Sequence, residues 1–298
     1  MSLLAGCASP QVRTLLEQPP AALPPQAELA AVPFFPQQDY QCGPAALAMA
    51  LTHAGIPVLP EALVSQVYLP AREGSLQAEM LAAARRHGLM AYPLAPQLQD
   101  LLLEVAAGNP VIVLQNLSLA FAPIWHYAVV VGYNREREEI ILRSGTTRRL
   151  TMTLSTFERT WARSKHWAMV VLQPDQLAAT AAEAGHVAAA AALERSSPAA
   201  AQRAYTSALA RWPANLIARL GLGNVAYSQG KLVEAKAAYH EATLEHPQSG
   251  DAWNNLAQVR FELGRRSEAL AAAQKAVELG GPRAALYRKT LDRISGMK

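Results

Sequence analysis

Short apolar runs separated by turn-forming residues occupy the middle of the chain. Two of them, 111–114 and 128–131, are four residues long and rich in Val and Ile, which is typical of buried strands. Two further apolar runs, 139–144 and 166–171, follow them along the chain. The pattern therefore predicts an antiparallel sheet in this part of the protein.

One long stretch in the same region has to be tested as a membrane span. No charged residue occurs between Glu104 and Arg135. The stretch is interrupted by Pro110 and Pro123, and its apolar runs are too short to cross a bilayer. The sequence therefore favours buried strands, and no membrane-spanning segment is predicted.

An earlier segment has the pattern of a helix that begins at a cysteine. Residues 45–54 are mostly strong helix formers, with Pro44 in the first turn and Gly55 just past the end. Cys42 therefore lies at the N-terminus of the predicted helix. The helix dipole and the free backbone N–H groups favour a thiolate there, so we expect a lowered pKa for the Cys42 thiol. Taken by itself, a lone cysteine in apolar sequence can also be a plain packing residue.

A period of 34 residues organises the last third of the chain. Alanine recurs at this spacing at Ala201, Ala235 and Ala269. Other small, aromatic and helix-ending residues follow the same step: Ala208, Ala242, Ala276, Tyr205, Tyr239, Gly230, Gly264, Pro213 and Pro247. The pattern resembles the tetratricopeptide repeat, in which each repeat is a pair of closely packed helices. We expect roughly three repeats over 182–281 and a closing helix over 282–294.

Composition narrows the class of protein. The chain has 298 residues, of which 51% are hydrophobic and 17% charged, so a disordered protein is excluded and two folded domains are expected. The formal net charge is +4 without dense Lys/Arg runs, which argues against nucleic acid as a partner. Two cysteines exclude a disulfide scaffold and a Cys-rich zinc site. No metal or other cofactor is predicted.

The beginning of the chain resembles the lipobox of bacterial lipoproteins. The motif Leu-Leu-Ala-Gly-Cys at 3–7 places small residues before Cys7, which would carry the lipid. Ala8 after the cysteine, instead of Asp, implies delivery to the outer membrane. Six prolines within 11–36 predict an extended spacer, so 1–31 are expected to be a lipobox remnant and a Pro-rich linker. A cysteine placed there by chance is the alternative.

The most informative downstream residue is His126. It lies in the motif Trp-His-Tyr-Ala-Val-Val-Val-Gly-Tyr at 125–133, where the strand can hold the imidazole rigidly beside a cleft. Together with Gln-x-x-x-x-Cys-Gly-Pro-Ala-Ala-Leu at 37–47, it resembles the bacteriocin-processing (double-glycine leader) cysteine peptidase family. The resemblance implies an α+β, papain-like peptidase domain over 32–173, with N-terminal helices and an antiparallel sheet. An all-α repeat domain over 175–298 would follow.

The resemblance also implies catalytic roles for the matching positions. Cys42 would be the nucleophile, and His126 the base that takes its proton. Gln37 would donate a side-chain N–H to an oxyanion hole, beside the backbone N–H of Cys42. Gln38 is a second candidate for this donor, because Pro36 stands where the family commonly has glutamine.

The third catalytic position departs most from the family. Relatives commonly carry an aspartate on the strand after the histidine, whereas this chain has Ser144 at the corresponding place. The hydroxyl could accept a hydrogen bond from His126, but it brings no charge to stabilise an imidazolium. Ser144 is therefore a candidate that orients His126. His166, at the start of another predicted strand, is a weaker rival for the role of base.

These features favour an envelope-located cysteine peptidase that cleaves a peptide or protein substrate. The repeat groove would bind the substrate or a protein partner, and the lipid anchor would be the only contact with the membrane. A catalytically inactive, peptidase-like adaptor is one alternative, and a Cys-dependent acyl transferase or deamidase is another. No Gly-x-x-x-x-Gly-Lys-Ser/Thr loop of a nucleotide-binding domain occurs, so the double-glycine preference of transporter-fused relatives is not carried over.

Overall fold

A computed structural model describes residues 9–37, 41–119 and 121–296. The chain forms two compact units, one ending at Ala189 and the other beginning at Ala190. The first combines helices with a sheet, and the second is helical. The α+β class expected from the sequence is therefore confirmed.

The elements of the described ranges are numbered in chain order. The helices are α1 (Pro10–Glu17), α2 (Cys42–His53), α3 (Pro60–Val67), α4 (Gln77–Arg86), α5 (Leu98–Ala106), α6 (Leu154–Ala162), α7 (Glu183–Ala191), α8 (Pro198–Arg211), α9 (Leu216–Ser228), α10 (Leu232–Glu245), α11 (Gly250–Glu262), α12 (Arg266–Leu279) and α13 (Ala284–Ser295). The strands are β1 (Gln26–Glu28), β2 (Tyr68–Leu69), β3 (Gly74–Ser75), β4 (Met90–Pro93), β5 (Val111–Asn116), β6 (Trp125–Asn134), β7 (Glu139–Ser144), β8 (Thr147–Thr153) and β9 (Ala168–Leu172). Within these ranges, none of the helices has both the length and the apolar character that crossing a bilayer requires.

The main sheet of the first unit has the order β4-β9-β5-β6-β7-β8, and β1 adds to β6. The pairs within it are antiparallel. The apolar runs expected to be strands lie inside β5 and β6, which confirms that expectation. Because β6 and β7 run in opposite directions, the start of β6 and the end of β7 lie at the same end of the sheet, with Val129 opposite Arg143. This topology brings His126 and Ser144 close together.

Helix α2 packs against one face of this sheet. Residues 43–51 of the helix are all buried. Residues 45–51 share a core with Tyr127, Val129 and Val131, which lie on one face of β6 because side chains alternate along a strand. A helix that is apolar on all sides is stable only when it is buried. The packing of α2 therefore fixes the position of Cys42 relative to β6.

The Pro-rich segment near the N-terminus differs from the extended spacer that its composition predicts. Helix α1 buries Val12 and Leu15, and β1 pairs with β6. The carboxylate of Glu158 accepts hydrogen bonds from the backbone N–H groups of Gln11 and Val12, at 3.0 and 2.9 Å. A carboxylate stabilises the unpaired N–H groups and the positive dipole end of a helix. Since Glu158 is supplied by α6, this segment folds onto the domain.

The second unit consists of successive helices that pack in order from α8 to α13. Glycines allow the close approach of neighbouring helices. A Cβ on Gly221 would lie 2.3 Å from the ring of Tyr205, and one on Gly223 would lie 2.3 Å from the ring of Tyr239. The expected repeats are confirmed, and α13 is the closing helix that the sequence predicts.

Candidate active site

Cys42 is the first residue of α2 and is half-buried. Burial raises the pKa of its thiol above the ordinary value, and this is the largest influence on the group. The backbone N–H groups of Tyr127, Gly43 and Cys42 itself act in the opposite direction, because they stabilise a thiolate. The expected lowering of the pKa is therefore wrong, since desolvation outweighs the backbone groups. At neutral pH the residue rests as a thiol.

Gly43 is required next to the cysteine because a side chain would not fit. A Cβ at Gly43 would lie 2.2 Å from the Oγ and 2.6 Å from the Cβ of Ser75. Ser75 is held in place by the Tyr127 hydroxyl, which donates to its carbonyl at 3.2 Å. Its own hydroxyl is buried without a hydrogen-bond partner among the described residues. The glycine thus allows the β2–β3 segment to pack against the start of α2.

His126 is the second residue of β6 and is half-buried. Its Nε2 lies 2.9 Å from the Oγ of Ser144, at the end of β7. Burial lowers the pKa of the His126 imidazole. The ring is therefore neutral at neutral pH, which is the form that can accept a proton.

Gln37 connects the two strands that carry His126 and Ser144. Its side-chain Oε1 accepts a hydrogen bond from the Gly145 N–H at 3.0 Å, and its Nε2 donates to the Tyr127 carbonyl at 3.3 Å. Its backbone N–H also donates to the Gly145 carbonyl, at 3.0 Å. Tyr127 follows His126 in the chain, and Gly145 follows Ser144. One glutamine therefore holds the neighbours of both residues.

Cys42, His126 and Gln37 line one cleft, with a volume of about 870 Å³. This is near the upper end of the roughly 300–1,000 Å³ common for ligand pockets. The rest of the lining comes from Arg72, Glu73, Gly74, Ser75, Leu76, Gln77, Leu114, Pro123, Ile124, Trp125, Tyr127, Gly145, Arg163, Ser164 and Lys165. Ser144 does not line the cleft, but it forms a hydrogen bond with His126, which does. A cleft of this size has room for a segment of peptide.

The turn before β9 contributes to the cleft in a way that the sequence does not signal. Lys165 and His166 both adopt left-handed backbone conformations, with φ of 59° and 57°. Lys165 lines the cleft, whereas His166 packs edge-on against Trp161, with ring centroids 4.8 Å apart. β9 begins at Ala168, so the expectation that His166 opens this strand is wrong. Residues other than glycine that adopt this conformation cannot be recognised from apolar periodicity.

Two further residues singled out in the sequence, Cys7 and Gln38, lie outside the described residues. Their proposed roles in lipidation and in the oxyanion hole remain predictions from the sequence.

Comparisons with known proteins divide the chain in the same way. Residues 29–169 match the model of the Peptidase C39-like family. Two tetratricopeptide-repeat families match residues 186–235 and 226–291. No curated protein matches the sequence.

Two solved structures are each similar to about half of the chain. A C39-like peptidase from Bacillus anthracis is 20% identical, with 49% of this chain and 97% of that chain covered and a TM-score of 0.42. The peptidase domain of Streptococcus ComA, a bifunctional ABC transporter involved in a quorum-sensing pathway, is 18% identical. That match covers 47% of this chain and 98% of the ComA domain, with a TM-score of 0.39. Residues 29–169 therefore match the Peptidase C39-like family and residues 186–291 match tetratricopeptide-repeat families, so the chain joins a C39-like domain to tetratricopeptide repeats.

Proposed function

We propose that the first unit is a cysteine peptidase that cleaves a peptide or protein through Cys42 and His126. The observation that carries this proposal is that both residues line the same cleft. The N-terminus of α2 positions Cys42, and the start of β6 positions His126. The match to the Peptidase C39-like family supports hydrolysis of a peptide bond as the chemistry.

In the proposed reaction, His126 removes the thiol proton of Cys42 as the sulfur attacks the carbonyl carbon of the scissile peptide bond. Nδ1 takes this proton, because Nε2 is engaged with Ser144. The protonated ring then gives the proton to the leaving amine, and a thioester remains on Cys42. Water hydrolyses the thioester, with His126 again acting as base.

The negative charge on the carbonyl oxygen needs hydrogen-bond donors beside Cys42. The backbone N–H of Cys42 is suited to this, because the first N–H groups of a helix have no partner within the helix. Gln37 donates one amide N–H to the Tyr127 carbonyl, and its second N–H can serve the oxyanion. We therefore propose two roles for Gln37, as an oxyanion donor and as a link between the strands of His126 and Ser144.

Ser144 is expected to make this site slower than one that carries a carboxylate. A hydroxyl can donate or accept a hydrogen bond, so it does not select the His126 tautomer in which Nδ1 is unprotonated. It also adds no negative charge to stabilise the imidazolium. The same two features would suit the alternative function, an inactive peptidase-like adaptor.

For the second unit we propose that the repeats recruit the substrate or a protein partner. The support is the series of helix pairs, because stacked repeats of this class form an extended concave surface that binds proteins.

We also propose that the protein is an envelope lipoprotein anchored through Cys7 and facing the periplasm. The support is the lipobox-like motif at 3–7. With its native upstream sequence, the wild type is expected in the membrane fraction and Cys7→Ala in the soluble fraction, because two or more lipid chains give stable anchoring. Equal partitioning of the two forms would contradict the anchor.

Cleavage of a random peptide mixture in oxygen-18 water tests the peptidase function. Hydrolysis places the heavy oxygen in the new carboxylate, acyl transfer does not, and deamidation converts Gln to Glu without cutting the chain. Cleaved peptides with a labelled new carboxylate from the wild type, and none from Cys42→Ala, would support the peptidase. Absence of products from both, together with an unreactive Cys42, would favour the adaptor.

A further inference from the structure

The proposed active-site cleft carries more positive than negative side chains. Arg72, Arg163 and Lys165 line it, against the single carboxylate of Glu73. All four residues are exposed. Within the part of the chain that the structure describes, none of the three cations forms an ion pair. A ligand with negative charge would therefore find cations whose charge is not already neutralised.

The same cleft has an apolar wall. Leu76, Ile124 and Trp125 are 40%, 59% and 50% exposed, although each is large and apolar. Clustered exposure of this kind marks a binding surface more often than isolated exposure does. Ile124 and Trp125 lead directly into His126, so this apolar surface lies beside the proposed base.

Residues on both sides of the loop that leads into Ile124 and Trp125 are held by hydrogen bonds before any ligand binds. Asn116 Oδ1 accepts hydrogen bonds from the backbone N–H groups of Ser118 and Ile124, both at 3.0 Å. Arg163 Nη1 donates to the carbonyls of Asn116 and Ser118, at 3.0 and 2.7 Å. Residues that are already held in place lose little conformational entropy on binding, so more of the contact energy at Ile124 appears as affinity.

We propose that this cleft selects peptide segments in which acidic residues lie next to large apolar residues close to the scissile bond. The acidic side chains would pair with Arg72 and Lys165, and the apolar ones would pack on Ile124 and Trp125. Complementary charge at the rim sets specificity and the rate of encounter, while apolar contact supplies affinity. This inference names the substrate class of the proposed peptidase and rests on that function.

The test measures binding to the Cys42→Ala variant, so that it does not depend on turnover. Three dye-labelled eight-residue peptides share four Leu positions and carry Glu, Gln or Lys at the other four. Fluorescence anisotropy at low salt is expected to show the Glu peptide binding about tenfold more tightly than the Gln peptide, with the Lys peptide weakest. The advantage should shrink in high salt, because exposed charges are screened.

Charge-reversal variants test whether Arg72 and Lys165 cause the tighter binding of the Glu peptide. Arg72→Glu and Lys165→Glu, made in the Cys42→Ala background, should each weaken binding of the Glu peptide about threefold to tenfold and leave the Gln peptide nearly unchanged. Arg137→Glu is the matched control, because Arg137 is exposed but does not line the cleft. Arg163 is kept, since it also holds the loop. Ile124→Ala should weaken all three peptides.

Equal binding of the three peptides, or an equal loss in Arg137→Glu, would overturn the proposed preference. The outcome for the peptidase itself is separate. Selective binding with no cleavage by the wild type would support the charge preference and contradict the peptidase. Cleavage without a charge preference would support the peptidase and contradict the preference.

Discussion

At the scale of single residues, the proposed chemistry depends on which groups carry charge at rest. Burial raises the pKa of the Cys42 thiol and lowers that of the His126 imidazole. The pair therefore rests as a neutral thiol and a neutral imidazole, not as an ion pair. The proton moves only as the sulfur attacks, so the rate depends on how well His126 is oriented. Ser144 is the side chain that contacts the ring at Nε2.

Substitution of Ser144 is expected to show how much this contact matters. Ser144→Ala should slow turnover modestly, because one neutral hydrogen bond contributes about 0.5–1.5 kcal/mol, or up to roughly tenfold in rate. Ser144→Asp should raise the pKa of His126, since a carboxylate stabilises the imidazolium. In the Ser144→Asp variant, the rate of Cys42 alkylation should therefore reach half of its maximum at a lower pH than in the wild type. If Ser144→Ala leaves turnover and alkylation unchanged, Cys42 and His126 act without a third residue.

At the scale of elements, the site forms because α2 packs against β6 through a shared core. Its position also depends on a second, very close contact. The start of α2 touches the β2–β3 segment through Gly43 and Ser75. The helices of the repeat unit approach each other in the same way, with Gly223 facing the ring of Tyr239. In both places a missing side chain allows two elements to come close.

Gly43→Ala is expected to destabilise the protein by about 1–3 kcal/mol, which is the usual effect of overpacking. The new Cβ would lie 2.6 Å from the Cβ of Ser75, so backbone has to move. Gly74→Ala is the matched control, because a Cβ there meets nothing nearer than the Arg72 carbonyl at 3.6 Å. Thermal unfolding of both variants measures the difference, and adding Ser75→Gly to Gly43→Ala should recover part of the loss. Unchanged stability of Gly43→Ala would contradict the tight contact.

Gly223→Ala tests the corresponding contact in the repeats. In an exposed helix this change would stabilise by about 1 kcal/mol, because alanine is the better helix former. Here the Cβ would lie 2.3 Å from the Tyr239 ring, so we expect a net loss of about 1–2 kcal/mol in denaturant unfolding. Adding Tyr239→Leu should reverse the sign of the Gly223→Ala effect. A rise in stability for Gly223→Ala alone would show that the ring moves freely.

At the scale of the whole molecule, the features that could be predicted from the sequence have local signals. The apolar run after Cys42 predicts α2, and the 34-residue spacing predicts the repeats. The docking of α1 has no such signal, because Glu158 lies 147 positions from Gln11. The raised pKa of Cys42 and the position of Lys165 also depend on tertiary structure, since burial and a left-handed turn decide them. The sequence therefore identifies candidate residues but not their electrostatic state.

Protonation of two partly buried histidines is expected to make the stability of the whole molecule depend on pH. Burial lowers the pKa of both His126 and His166 below the ordinary value near 6.5. As the pH falls through about 6.5, the unfolded chain binds protons that the folded protein excludes, so the free energy of unfolding decreases. Thermal unfolding at pH 5.5 should therefore occur at lower temperature than at pH 7.5. His126→Gln and His166→Gln should reduce this difference, and a pH-independent midpoint would contradict it.

The pairing of Cys42 with His126 is tested most directly by the rate at which iodoacetamide alkylates Cys42 at pH 7. Peptide mass spectrometry identifies the modified cysteine and separates it from Cys7. If His126 removes the thiol proton, the wild type should react at least about tenfold faster than His126→Ala, a threshold set below the roughly 10²–10⁴-fold that a general base supplies. Equal rates in the two proteins, both as slow as those of a buried thiol, would contradict the Cys-His site.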